Sequence, residues 1–260
     1  MTIVQAVLLF IAAALAGALN SVAGGGSFIS FPMLLFTGAS PRIANTTNTV
    51  ALWPGSAASV SAYRKELSHH QPGFYSFIIV SLLGGAVGAI LLLVTPEATF
   101  GALLPWLLLF ATLLFAFGRT ASNALRARIA IMNAPDFVLR ATVPIIQFFI
   151  AVYGGFFGGG IGILMLAMLA LSGMEDIHKM NALKTLLATC INGVAVIAFV
   201  LAKEVLWSQA LLMIVGAILG GYFGAFYARK IDPQLVRRFV VVVGSLMTIY
   251  FFIRTYFIAG

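Results

Sequence analysis

Two glycine triplets, Gly24-Gly25-Gly26 and Gly158-Gly159-Gly160, interrupt otherwise apolar sequence. Glycine costs about 1 kcal/mol relative to alanine inside a helix, so three in a row break or bend the chain. A break within a membrane exposes backbone N–H groups, and the helix that restarts beyond it aims its positive dipole end at the same place. This combination binds anions without a fixed charge. After each triplet come a short apolar segment and a helix-length stretch with one polar face. In the first that face holds Asn45, Asn48 and Thr49, and in the second Asn181, Lys184 and Thr185, with identical spacing. The candidate ligands are therefore Gly24, Gly25, Gly26, Ser27, Asn45, Asn48 and Thr49 with Gly158, Gly159, Gly160, Asn181, Lys184 and Thr185. Glycine clusters also serve tight helix crossings, and Asn or Thr faces also hold helices together. The recurrence of break, short segment and polar face favours a cavity.

Other chemistry lacks its residues. Glu66, Glu97, Asp136, Glu175, Asp176, Glu204 and Asp232, with His69, His70 and His178, all fall in expected loops or helix ends. A carboxylate relay needs a titrating group at membrane depth. A serine nucleophile at Gly26-Ser27 would need a histidine base that no span supplies. The expectation is no catalytic residue, no metal and no cofactor. Lys184, about two turns into its segment, is the exception among charges. A lysine there costs on the order of 2.5–3.5 kcal/mol unless it pairs or meets water. Two readings stay open: an anion ligand in the cavity, or a side chain snorkelling to the surface.

The elements that must position these residues are membrane helices. Of 260 residues, 62% are hydrophobic and 8% charged, and mean hydropathy is +1.08. A soluble domain carries roughly 25% charged residues. A chain this apolar is excluded as a soluble enzyme, a nucleic-acid-binding domain or a disordered protein; its basic residues orient it in a bilayer instead. About 20 apolar residues cross a membrane. The expected segments are Ile3–Val22, Ser27–Thr37, Ile43–Tyr63, Phe74–Thr95, Phe100–Phe117, Ala141–Phe157, Ile161–Leu171, Ile177–Leu201, Trp207–Ala228 and Leu235–Ile258. Residues 1–118 form a first transmembrane repeat, 119–140 a cytoplasmic linker bearing Arg119, Arg126, Arg128 and Arg140, and 141–260 a second repeat. The glycine triplets match at an offset of 134; Asn45 and Asn181, Thr49 and Thr185, and Gly84-Gly85 and Gly220-Gly221 match at 136. A constant offset of this kind indicates internal duplication.

Ser27–Thr37 would be roughly 16 Å long as a helix, about half a bilayer. Each half then starts with a hairpin whose second arm is short, followed by three ordinary spans. Charge supports this. With hairpins, eleven basic residues lie on one side and three, Arg42, Lys203 and Arg254, on the other. If each broken stretch crossed only once, the split would be eight to six. The positive-inside rule favours the hairpins. The fold class expected is an all-α polytopic membrane protein of two inverted repeats, each a short helical hairpin broken at a glycine triplet plus three transmembrane helices.

The run Asn20-Ser21-Val22-Ala23-Gly24-Gly25-Gly26-Ser27-Phe28, then Pro32 and Ala44-Asn45-Thr46-Thr47-Asn48, resembles the first-repeat signature of the sulfite exporter TauE/SafE family, also called the toluenesulfonate uptake permease family. Gly154-Gly155-Phe156-Phe157-Gly158-Gly159-Gly160 with Met180-Asn181-Ala182-Leu183-Lys184 is similar to its second-repeat signature. The resemblance implies a bacterial inner-membrane carrier of sulfur-containing or organic anions such as sulfite, sulfoacetate or sulfonates. Two inverted halves around a central site are expected to work by alternating access. Where the first copy has Ser27-Phe28 the second has Ile161-Gly162, so the half-sites are unequal, and the first is expected to contribute more direct ligands. The expected partners are a small anion, the lipid bilayer and an unspecified coupling ion (Na⁺ or H⁺), with no nucleic acid. A channel-like anion pore and an accessory membrane subunit are the alternatives.

Overall fold

The computed structural model describes residues 1–22, 25–67, 74–132, 136–174, 176–228 and 233–258. Among these residues all regular structure is helical. In the first half run α1 (Ile3–Val22), α2 (Ser27–Phe36), α3 (Pro41–Ala62), the single turn α4 (Arg64–Leu67), α5 (Phe74–Val94) and α6 (Glu97–Met132). In the second run α7 (Asp136–Phe156), α8 (Ile161–Leu171), α9 (Ile177–Leu201), α10 (Trp207–Ala228) and α11 (Pro233–Ile253), which ends in a π-helical turn at Arg254–Ile258.

Five helical stretches of the described chain are long and apolar enough to cross a bilayer: Ile3–Asn20, Phe74–Val94, Glu97–Gly118, Ile177–Leu201 and Arg237–Phe257. Their outward faces are greasy, with Ile3, Leu83, Phe149 and Ile197 exposed. That is how a protein solvated by lipid looks, and it makes this a multi-pass membrane protein. Although α3 is long enough to cross, its row of Asn45, Thr46, Thr47 and Asn48 makes it too polar to count, and all four are buried. It is an interior helix.

The halves interlock. α1 packs against α10 and α5 against α7, while α3 crosses α9 and α6 crosses α11. By the sequence offset α1 matches α7 and α5 matches α10, so the first two contacts join matching pairs of helices. Both use small residues, as membrane helix crossings do. A Cβ at Gly220 would land on the backbone of Ala14, and one at Gly84 would sit 2.7 Å from the Phe148 carbonyl. The repeat match of Gly84 with Gly220 is thus a match of crossing points.

The short arms fold back as expected. α2 packs on α1 and α8 on α7. Each short helix ends in a left-handed glycine, Gly38 (φ 94°) and Gly173 (φ 85°). In both, the next residue's N–H reaches back five residues, Ala39 to Leu34 (3.3 Å) and Met174 to Leu169 (3.2 Å). This Schellman geometry turns the chain sharply into α3 or α9. The Arg42–Glu204 ion pair (2.8 Å) puts the start of α3 and the α9–α10 turn at one end of the molecule. Hairpins require that; single crossings of each broken stretch would place them at opposite ends.

Part of the linker expected at 119–140 is not a loop. α6 continues as helix to Met132 and α7 begins at Asp136, because only Gly118 interrupts good helix-forming sequence before Met132. Residues 133–135 lie outside the described residues.

Candidate functional site

The two breaks meet. Ser27, at the start of α2, and Gly159, within the second break, line the same small hollow with Phe28, Phe31, Asn45, Leu108 and Phe157. Phe31 from α2 meets Phe157 edge-on across it, ring centroids 6.1 Å apart. Asn45 of α3 donates from Nδ2 to the Phe156 carbonyl (3.0 Å), where α7 ends. Thus α3 of the first half is tied to the break of the second. The hollow has room for about one water. It is narrow in this conformation.

The two breaks are built differently. Phe157 and Gly158 both donate their N–H to the Tyr153 carbonyl (2.9 and 3.1 Å). The Tyr153 hydroxyl donates to the Gly159 carbonyl (2.7 Å). Gly158 (φ 81°) and Gly160 (φ 77°) are left-handed on either side of Gly159, a backbone that only glycine adopts at little cost. The N–H groups of Gly159 and Gly160, both buried, have no hydrogen-bond partner among the described residues. Buried amides without partners are rare in folded proteins, and successive N–H groups beside left-handed residues form anion nests.

In the first break, Gly25 is also left-handed (φ 105°), and a Cβ there would sit 2.6 Å from the Phe115 ring. The Gly26 amide is not available as a ligand: it donates to Asn20 Oδ1 (2.8 Å). Gly24 lies outside the described residues. Ser27 is held through its hydroxyl, which accepts from Asn48 Nδ2 (3.1 Å). Asn48 Oδ1 in turn accepts from the buried Ser30 hydroxyl. Thr49 and Thr185 make the same bond in each half, donating back to the carbonyls of Asn45 (2.9 Å) and Asn181 (2.7 Å). Their hydroxyl protons serve their own helices, and only their oxygens remain as acceptors.

Lys184 is neither on the wall of the hollow nor free. Its Nζ donates to Asn181 Oδ1 (3.2 Å), and its stem runs beside Gly162, with Cδ 3.4 Å from where a Cβ there would be. It therefore stands against the first turn of α8, at the positive end of that helix, and no carboxylate among the described residues pairs with it. Asn181 is the partner of the lysine and not a wall residue.

The end of the molecule reached by α3 is tied shut. Arg42 donates from Nη1 to the carbonyls of Leu93 and Thr95 (both 3.1 Å) and from Nη2 to Glu204 Oε1 (2.8 Å). Glu97 accepts from the Arg42 backbone N–H (2.9 Å) and lies 3.7 Å from Nε. The α9–α10 turn is also fastened to α3 by the Thr46 hydroxyl on the Glu204 carbonyl and by Leu206 N–H on Thr47 Oγ1 (3.1 Å).

Tyr153, Ser30, Leu108 and the Phe31–Phe157 pair were not legible as site residues, and Asn20 stood out only as part of a motif. A tyrosine one turn before a glycine run is a weak signal, since a buried phenol needs some partner. Nothing separates two phenylalanines from the other twenty.

The model of the family described as "Sulfite exporter TauE/SafE" matches residues 9–251. A "Probable membrane transporter protein" of Haemophilus influenzae (strain ATCC 51907 / DSM 11121 / KW20 / Rd) is 28% identical over 93% of this chain and 92% of its own. "Probable membrane transporter protein ORF9" of Sinorhizobium sp is 30% identical over 93% and 90%. "Probable membrane transporter protein YfcA" of Escherichia coli (strain K12) is 29% identical over 92% and 87%. No solved structure matches. With a family match spanning both breaks and both polar faces, the chain belongs to the sulfite exporter TauE/SafE family of membrane transporters.

Proposed function

We propose that this protein is a secondary transporter that carries sulfur-containing or organic anions, of the sulfite, sulfoacetate or sulfonate type, across the bacterial inner membrane by alternating access. The observation that carries the reading is the pair of buried, unpartnered amides of Gly159 and Gly160 beside a hollow that Ser27 and Asn45 also line. The amides supply donors without bulk. The positive end of α8 and the nearby Lys184 supply the electrostatic bias. A sulfonate head, with three acceptor oxygens and one negative charge, suits that set. In this reading the two hairpins with three further spans each make the halves inverted, and one group of helices moves against the other around the central site.

The narrow hollow and the tied end support a gated carrier over an open pore. Opening that end would free the α9–α10 turn from α3, with Arg42 staying on its own half through Glu97 and the two carbonyls. Counterflow in proteoliposomes tests the carrier: unlabelled anion loaded inside must drive transient accumulation of labelled anion, which a pore does not do. Lys184→Ala should then weaken apparent affinity, because the positive charge beside the first turn of α8 is lost. Unchanged affinity for every sulfonate and carboxylate transported would remove the lysine from the site.

A further inference from the structure

We propose that Tyr153 is a positioning residue that shapes the second break, and that the charged head of the anion docks there and not at the first break. This rests on the anion-carrier reading above. Tyr153 holds three consecutive residues: its carbonyl takes the N–H of Phe157 and of Gly158, and its hydroxyl takes the carbonyl of Gly159. In a planar trans peptide the carbonyl of one residue and the N–H of the next point in opposite directions. Fixing the Gly159 carbonyl on the phenol therefore fixes the Gly160 N–H facing away from it, with no partner among the described residues. The ring is itself held, edge-on to Phe110 at 5.4 Å and beside Phe157 at 6.3 Å.

The first break uses the opposite device. There a side-chain acceptor, Asn20 Oδ1, consumes an amide donor at Gly26. At the second break a side-chain donor consumes a carbonyl acceptor and leaves amides. The Ser27 N–H has no partner among the described residues either, but the second break has two successive buried amides and a carbonyl already taken up, so it is the better anion cradle although its flanking residues, Ile161 and Gly162, offer no polar side chain. The first half contributes Ser27 and Asn45, which recognise the rest of the solute. This differs from the expectation that the first half contributes more of the direct ligands.

The test uses the full chain in detergent with methanesulfonate, sulfite and acetate as probes, measured by calorimetry. Tyr153→Phe removes only the hydroxyl and should weaken every probe that binds by a common factor of about ten. Phe110→Leu loosens the packing of the ring but keeps its hydroxyl, and should weaken affinity less than Tyr153→Phe does; a purely structural role would make the two variants behave alike. Hydrogen exchange reads the break without any ligand: amides in the peptide spanning residues 156–164 should exchange faster in Tyr153→Phe, with other peptides unchanged. Retained affinity, or unchanged exchange of that peptide, overturns the positioning role. If the unaltered protein binds none of the probes, the anion site itself falls and the docking orientation with it, whatever the exchange data show.

Discussion

Removing Glu204 and removing Arg42 should have very different consequences, though they are partners in one ion pair. The pair is short (2.8 Å) and mostly shielded, the side chains being 20% and 23% exposed. In Glu204→Gln an amide oxygen can still accept from Nη2, and the guanidinium keeps Glu97 and the carbonyls of Leu93 and Thr95. Only the charge assistance of one hydrogen bond is lost, about 1 kcal/mol. Arg42→Ala instead leaves two carboxylates facing the same space with no cation, and breaking a shielded pair from that side costs about 3–5 kcal/mol. For a chain of this size each kcal/mol moves Tm by roughly 2–4 °C. Melting in detergent, followed by tryptophan fluorescence, should therefore drop by about 3 °C for Glu204→Gln and about 10 °C for Arg42→Ala. The double variant should melt above Arg42→Ala alone, because one of the stranded charges is gone. Equal losses in the two single variants, or a double variant that is simply additive, would refute the view that Arg42 is anchored on its own half and that Glu204 is the releasable partner.

Two glycines separate backbone strain from collision. Gly160→Ala has ordinary space, the nearest atom being 3.4 Å away on Leu114, but needs φ near +77°, so it should cost about 1–2 kcal/mol and weaken anion binding. Gly220→Ala meets the Ala14 backbone at the α1–α10 crossing, and should cost more stability than Gly160→Ala in the same melts; the reverse order would contradict the crossing assigned to that glycine. Asp176 caps α9, accepting from the N–H of His178 (2.9 Å) and Lys179 (3.3 Å), and these bonds hold its carboxyl below the usual range. Its contribution is present above the unfolded carboxylate pKa, near 4, and is lost as pH falls through the lower folded value. Melting profiles across acid pH should show that loss in the unaltered protein and its absence in Asp176→Asn.

What could be read from residue types alone was the part governed by solvation. Spans such as Ile177–Leu201 and Ile161–Leu171 follow from apolar length and glycine breaks, and the structure has those same helices. The polar face of α3 was legible because five consecutive polar residues in a greasy chain must find partners, and four of them are buried. Partner identity was not legible, because it depends on which helices cross. Asn45 reaches the Phe156 carbonyl 111 positions away, and Arg42 reaches Glu204 across 162. The glycine triplets show the limit most clearly. As letters the two runs are identical, and both were read as sources of free amides. Which backbone group is taken up depends on the residue that folds back onto the break: an asparagine acceptor takes the Gly26 amide in one half, and a tyrosine donor takes the Gly159 carbonyl in the other. Two matching glycine runs can thus hold different backbone groups, and in the proposal above that difference makes the second break the anion cradle. The two breaks differ through positions 20 and 153, outside the triplets themselves.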